Sequence, residues 1–369
     1  MNAKNAPLRK VSVSVILGLV TCLAAAHDDE DRHQQHPAYA THVLVSNGGV
    51  PASFPQPDPN LINGWGVAFN PQGFVWVNDA GSGKSTLYDG TGKPQALVVT
   101  VPGPGGSVGI PTGIVFSGGA DFVVSKTAGT TALTGPARFI FATVQGTIAA
   151  WAPNVDALNA LEAVPNTTQA AYTGLALGGN GTTHLLYAAN FRSGHVDVFD
   201  GAFKPVVTAG GFSDSRLPAG YAPFGIQAIN GDIYVTYAKQ DPATGKDAKG
   251  VGRGFVNVFD ADGNLVSRLI ARGVLNSPWG VALAPKSFGE FGGALLIGNF
   301  GDGTINAYGP ISGRFLGSLQ DRRGRRLHLD GLWGMAFGNG VASQPTNSLF
   351  YAAGPHDETD GAYGVVEAE

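Results

Sequence analysis

Residues 278–283 read Pro-Trp-Gly-Val-Ala-Leu and residues 332–337 read Leu-Trp-Gly-Met-Ala-Phe. Four other phrases have the same form: NGWGVAF (63–69), PTGIVF (111–116), YTGLAL (172–177) and PFGIQAI (223–229). In each, a bulky or polar residue and a glycine lead into alternating apolar positions, the period of a half-buried strand. The six glycines, Gly66, Gly113, Gly174, Gly225, Gly280 and Gly334, are spaced by 47, 61, 51, 55 and 54 residues. A period of this size marks a repeat architecture, and four short strands plus loops fill it.

The residues that follow each phrase supply the other strands. Second strands are predicted at FVWVN (74–78), FVVS (122–125), LLYAAN (185–190), IYVTY (233–237), LLIGN (295–299) and LFYAAG (349–354). Third strands follow at 85–90, 146–153, 195–201, 255–263, 304–310 and 363–368, with Asp-Gly pairs where the chain must reverse. Fourth strands are marked at 96–101, 204–210, 265–271 and 314–320, and weakly near 161–164. The sixth copy has no fourth strand before Glu369, whereas THVLVSN (41–47) has no first phrase before it. The expected fold is therefore all-β, a six-bladed β-propeller over 41–369 whose last blade is closed by the N-terminal strand, so that no sheet edge is left open.

Composition agrees with this reading. The 369 residues include 55 Gly and 23 Pro with only 14% charged, a turn-rich chain with enough apolar content (43%) for a large core. Residues 1–26 read as a signal peptide: Lys4, Arg9 and Lys10, an apolar run from Val11 to Leu23, then three alanines. Export to the periplasm or beyond is the expectation, and no transmembrane segment is expected in the mature chain. The only cysteine, Cys22, falls inside this leader after Thr21, a larger residue than lipidation favours, so the mature chain has no thiol chemistry. Removing three basic residues leaves 20 against 27 acids, a net charge of −7, which disfavours nucleic acid as a partner. Residues 27–40 form a polar tether whose HDDEDRHQQH (27–36) is either solvated or a weak metal binder.

The runs LNSPWGVALAP (275–285), GGALLIGNFGDGTINAY (292–308), LLYAANFRSGHVDVFD (185–200), AGYAPFGIQ (219–227) and YVTYAKQD (234–241) resemble NHL-repeat and gluconolactonase-like six-bladed propellers. More closely, they resemble an uncharacterised family of exported bacterial proteins, over about residues 40–360. The resemblance implies a secreted propeller and no defined activity. Gluconolactonase-like enzymes hold a divalent cation with a Glu, an Asn and an Asp, two of them just before the first-strand glycine. Here Trp65, Thr112, Thr173, Phe224, Trp279 and Trp333 stand before those glycines, so that triad does not transfer. Asn63, Asn276 and Asp330 lie two to four positions earlier and are the candidate substitutes, which would require a different loop geometry.

The loops joining second to third and fourth to first strands should share one face around the central channel. Asn78, Ser125, Asn190, Tyr237 and Asn299 end the second strands and form the candidate ligand ring. Such amides either bind a polyol or cation, or cap their own loops. With Asp79 and Asp302, the three asparagines are the candidate ligands for a divalent cation, calcium, magnesium or zinc. Trp65, Trp279 and Trp333 are either a stacking platform or inter-blade packing. His356, in His356-Asp357-Glu358, is a base, a metal ligand or a solvated loop residue. NDAGSGKST (78–86) lacks the first glycine of a phosphate-binding loop and runs into a strand, so it reads as a hairpin. No nucleophile signature is recognised, whether G-x-S-x-G, H-E-x-x-H or a mature cysteine.

Two functions fit: a binding module for a small molecule, a glycan or an envelope protein on the loop face, or a metal-assisted hydrolase or lyase with its site in the channel.

Overall fold

A computed structural model of the chain describes Met1 and residues 38–166, 169–179, 181 and 183–369. The rest of the leader, Cys22 and residues 27–37 of the tether lie outside the described residues. The compact unit spans His36–Glu369. It contains six four-stranded antiparallel sheets, each ordered from an inner first strand to an outer fourth. This is the six-bladed propeller.

The six glycine phrases form the innermost strands: Gly64–Phe69, Pro111–Phe116, Tyr172–Gly179, Tyr221–Ile229, Pro278–Leu283 and Leu332–Phe337. In every blade the pairing of first with second strand shifts register at or just beside the residue–glycine step, between Gly64 and Val67 in the first blade and between Leu332 and Met335 in the last. The shared phrase is thus a β-bulge at the start of each inner strand, which bends the strand and re-aims its side chains.

Tyr39–Ser46 pairs antiparallel with Ala362–Ala368, from Tyr39 opposite Ala368 to Ser46 opposite Ala362. The N-terminal strand closes the last blade, starting two residues earlier than the sequence pattern indicates. Tyr39 helps to anchor it: the ring is buried, and its hydroxyl donates to the Phe288 carbonyl (3.2 Å) and accepts from the Phe291 amide (2.9 Å).

One strand assignment is corrected. Residues 122–125 do not form the second strand of blade two. Val123–Ala128 pairs with Thr131–Pro136 in a separate hairpin, and Phe139–Thr143 is the second strand. The hairpin is an insertion between the first two strands, which is why the Gly113–Gly174 spacing is the longest of the five. The predicted fourth strand at 204–210 shrinks to Pro205–Val206, because the chain turns away to bury Phe212 between blades three and four. Among the described residues no helix is long and apolar enough to cross a membrane.

Candidate functional site

The glycines that define the repeat also close the channel. A Cβ on Gly334 would stand 2.5 Å from the Trp65 carbonyl oxygen of the first blade, and one on Gly280 2.9 Å from that of Trp333. Gly66 abuts the Thr112 carbonyl, Gly113 the Leu175 amide, Gly174 the Ile226 amide and Gly225 the Trp279 carbonyl. Each glycine therefore presses on the inner strand of the next blade around the whole ring. The gap left on the axis, lined by residues such as Gly66, Gly113, Leu175, Ile226, Trp279 and Met335, is about 20 Å³. That is room for about one water, not for a substrate.

The loop-face mouth is filled by aromatics. Trp333 stacks on Trp65 (3.7 Å, 16°) on one side and on Phe300 (3.8 Å, 18°) on the other. Phe224 and Trp279 meet its edges at 5.6 and 5.9 Å. Trp65 and Trp333 are buried, so they are packing; Trp279 keeps part of its surface open. The Trp279 indole reaches across the axis and donates to the Thr173 carbonyl (2.9 Å), tying blade five to blade three. Trp333 donates to Asn63 Oδ1 (3.2 Å), while Trp65 Nε1 is buried without a partner. The Lys249 ammonium sits 4.2 Å above the Phe300 ring.

Asn190 and Asn299 end their second strands opposite Tyr172 and Pro278, as read from the sequence, but in the first blade that place belongs to Asp79, opposite Gly64, and Asn78 lies one residue earlier, a correction to the candidate ring. All three amide nitrogens are bonded within the protein, and Asn78 Oδ1 is buried with no partner among the described residues. Asn78 donates to the Thr112 and Gly113 carbonyls of the next blade (3.0 and 3.2 Å). Asn190 accepts from the Ala171 and Ser193 amides and donates to Asp197. Asn299 accepts from the Asn276 amide and donates to the Val274 carbonyl and the Thr304 hydroxyl. Asn276 in turn holds Asp302 (3.1 Å), whose other oxygen takes the Thr304 hydroxyl.

Ser125 is corrected: it lies exposed on the inserted hairpin, bonded to Thr134, and Thr143 ends the second strand of its blade. Tyr237 points between blades three and four, where burial raises its phenol well above the ordinary value. Asp79 is fully buried, and burial drives its carboxyl well above the usual range; Asp58 adds to the rise, while the Thr86 hydroxyl and Lys84 oppose it. Among the described residues no group of three or more His, Cys, Asp or Glu side chains is placed to hold a metal.

His356 belongs to the most strained segment of the face. His356, Asp357 and Glu358 are consecutive residues with φ of 54°, 54° and 68°, a left-handed turn that non-glycine residues adopt at a cost of about 1–2 kcal/mol each. Its bonds are anchored elsewhere. The His356 amide donates to Asp330 (2.9 Å), the imidazole Nδ1 lies 2.7 Å from Asp360, and Glu358 accepts from Asn63 (3.0 Å). Asn63 thus joins the aromatic mouth to this turn, a role that its place two residues before Trp65 does not reveal in sequence.

The NDAGSGKST stretch is a hairpin: Ser82 Oγ donates to the Asn60 carbonyl and Lys84 Nζ to the Asn60 side chain (both 2.6 Å). One spelling escapes the sequence reading. Gly105-Gly106-Ser107-Val108-Gly109 fits G-x-S-x-G, but it sits on an exposed loop at a short 3-10 turn, not at a strand-to-helix elbow. Of the arginines in 321–326, Arg325 pairs with Asp321 and Arg322 with Glu369.

The class that these features define is a six-bladed β-propeller with an aromatic-filled mouth on one face. The chain is 32% identical over 333 residues to the uncharacterized protein R648 of Acanthamoeba polyphaga mimivirus, covering 88% of this chain and 79% of that protein. It is 32% identical over 338 residues to the uncharacterized protein L690 of the same virus, covering 89% and 85%. The chain belongs to the family that contains these proteins. No family model matches it. Among solved structures, a protein of unknown function from Bacteroides thetaiotaomicron VPI-5482 aligns with a TM-score of 0.55 at 10% identity, over 90% of this chain and 77% of that one. The soluble aldose sugar dehydrogenase of Escherichia coli, in its apo form, aligns with a TM-score of 0.50 at 15% identity, over 90% and 100%. At such identities the likeness shows the fold alone.

Proposed function

We propose that this protein is an exported binding module, a member of the NHL-like and gluconolactonase-like propellers of secreted bacterial proteins, whose loop face takes a glycan or another small polar ligand. The division into leader (1–26), tether (27–40) and propeller (41–369) is part of the same reading. It is supported by the basic and apolar leader and by the turn-rich, cysteine-free chain that follows.

The observation that carries the binding role is the aromatic mouth over a closed channel. Partly open Trp279 offers an apolar face for a sugar ring, and Lys249 above Phe300 offers a cation beside it. A ligand docked there would touch side chains held rigid by the stack beneath them, which lowers the cost of ordering on binding.

The test is a thermal-shift screen of neutral and acidic oligosaccharides with wild type and Trp279→Ala. A ligand that binds the native state raises Tm, by about 2.7 kcal/mol of added stability at 100 times its Kd. The reading expects a rise that Trp279→Ala removes. A rise of equal size in the variant would place the site elsewhere. Steady turnover of a lactone, with calcium, magnesium or zinc added, would replace the binding role with the hydrolase.

A further inference from the structure

We propose that the cleft between blades one and two is a second binding site, for a planar aromatic anion such as an aryl carboxylate or aryl sulfonate. The cleft opens at the C-terminal ends of the inner strands, the far end from Trp65 and the aromatic mouth. Its volume is about 710 Å³, within the range that takes a small molecule.

The turns help to set the opening. At three of the five other junctions an inserted aromatic fills the wedge: Phe122 packs with the second and third blades, Phe212 with the third and fourth, Phe288 with the fifth and sixth. Between blades one and two the connection Asn70–Phe74 is a tight turn, closed by the Asn70 amide on the Phe74 carbonyl (3.2 Å), and the one aromatic it brings, Phe74, sits at the side of the cleft and stays partly open. The rest of the wedge is lined by the strands' own aromatics.

Those aromatics form one continuous wall. Trp76 stacks on Phe139 (4.0 Å, 21°), Trp151 lies 4.9 Å from Trp76, and Phe116 meets Phe139 edge-on at 5.4 Å. Trp76 and Phe139 are buried, so the floor is fixed, whereas Phe74 and Phe116 keep surface open at the sides. A flat ring can lie against such faces with little loss of ordering entropy.

Arg138 sets the sign. Its side chain lines the cleft and is exposed, and its guanidinium donates to the Gly118 carbonyl at a long 3.4 Å. Among the described residues the guanidinium has no ion-pair partner, in contrast to Arg268, Arg322 and Arg325. A guanidinium beside an aromatic wall matches the two oxygens of a carboxylate or sulfonate on a ring.

The experiment is calorimetric titration of the full chain with 2-naphthoate and with neutral 2-naphthamide. Naphthoate is expected to bind and naphthamide to bind more weakly. Arg138→Gln should weaken naphthoate by about tenfold and leave naphthamide unchanged, since a charge-assisted pair is lost. Phe116→Leu should weaken both, and Trp279→Ala neither, which separates this site from the loop-face reading. Both cleft positions are at least partly exposed, and an unchanged melting temperature verifies folding. The proposal is overturned if wild type gives no binding heat up to the solubility limit, if the two probes bind alike, or if Arg138→Gln leaves naphthoate untouched. Loss of binding in Trp279→Ala would overturn it as well.

Discussion

The indole rings of Trp65 and Trp333 stack 3.7 Å apart across the junction where the last blade meets the first. The contact joins the inner strands of the first and last blades at the mouth, while Tyr39–Ser46 completes the last blade on its outer edge by pairing with Ala362–Ala368. Trp333 is sandwiched, with Phe300 stacked on its other face. Trp333→Ala should therefore cost about 3–5 kcal/mol, the range for deleting a buried large aromatic. Trp333→Phe should cost less, chiefly the N–H donated to Asn63. Urea unfolding of the two variants reads both numbers, and a loss below about 1 kcal/mol for the alanine would contradict the sandwich.

The glycine ring makes a sharper prediction. Gly225→Ala drives a methyl group into the Trp279 carbonyl, a backbone atom that can move only with its blade. The expected loss is about 1–3 kcal/mol from overpacking. Gly245, with φ of +69° and nothing within 4 Å of its added Cβ, should cost about 1 kcal/mol on the same change, from its left-handed backbone alone. Melting curves for the two alanines should separate them, and equal losses would remove close approach as the reason for the repeat glycine.

Asp79 links stability to pH. Its folded pKa is raised by burial, so the folded state keeps a proton that the unfolded chain releases above about pH 3.9. Stability contributed by this group is therefore lost as pH rises from that point toward the folded value. Asp79→Asn, neutral at every pH, should gain on wild type by up to about 1.4 kcal/mol per pH unit over that window. Denaturation midpoints at three pH values check the slope; parallel curves would mean an ionised Asp79.

His356 shifts stability with pH in the same direction, through a different pair. Asp360 raises its pKa above the ordinary value, so the charged pair is complete at low pH and is lost as pH rises through the folded value. Because both groups are exposed, the effect on global stability should be small. NMR titration of the imidazole should show its pKa fall toward about 6.5 in Asp360→Asn. An unmoved titration curve would show that the 2.7 Å contact does not hold in solution.

The repeat was legible because close packing around an axis leaves a residue-level trace: glycine at each contact and alternation along each strand. The hairpin at 123–136 was misplaced because its residues alternate as well as any blade strand, and only pairing partners distinguish the two. Asn190 and Asn299 stand at the strand ends that the pattern indicates, but Asn78 falls one residue short of the place Asp79 takes, and a one-residue shift turns a strand side chain to the other face. Asn63 stands out in sequence only as a stand-in for a metal ligand and Arg138 not at all, since each acts through partners distant in sequence.

By itself the sequence determined six blades, their strand order and closure by the N-terminal strand, because these rest on periodicity and on the need to satisfy sheet edges. Only the tertiary structure decided that the channel is shut, that the tryptophans plug it, and that an open aromatic cleft lies between blades one and two. Those outcomes depend on ångström-scale contacts between residues from different blades, which no local pattern in the chain encodes.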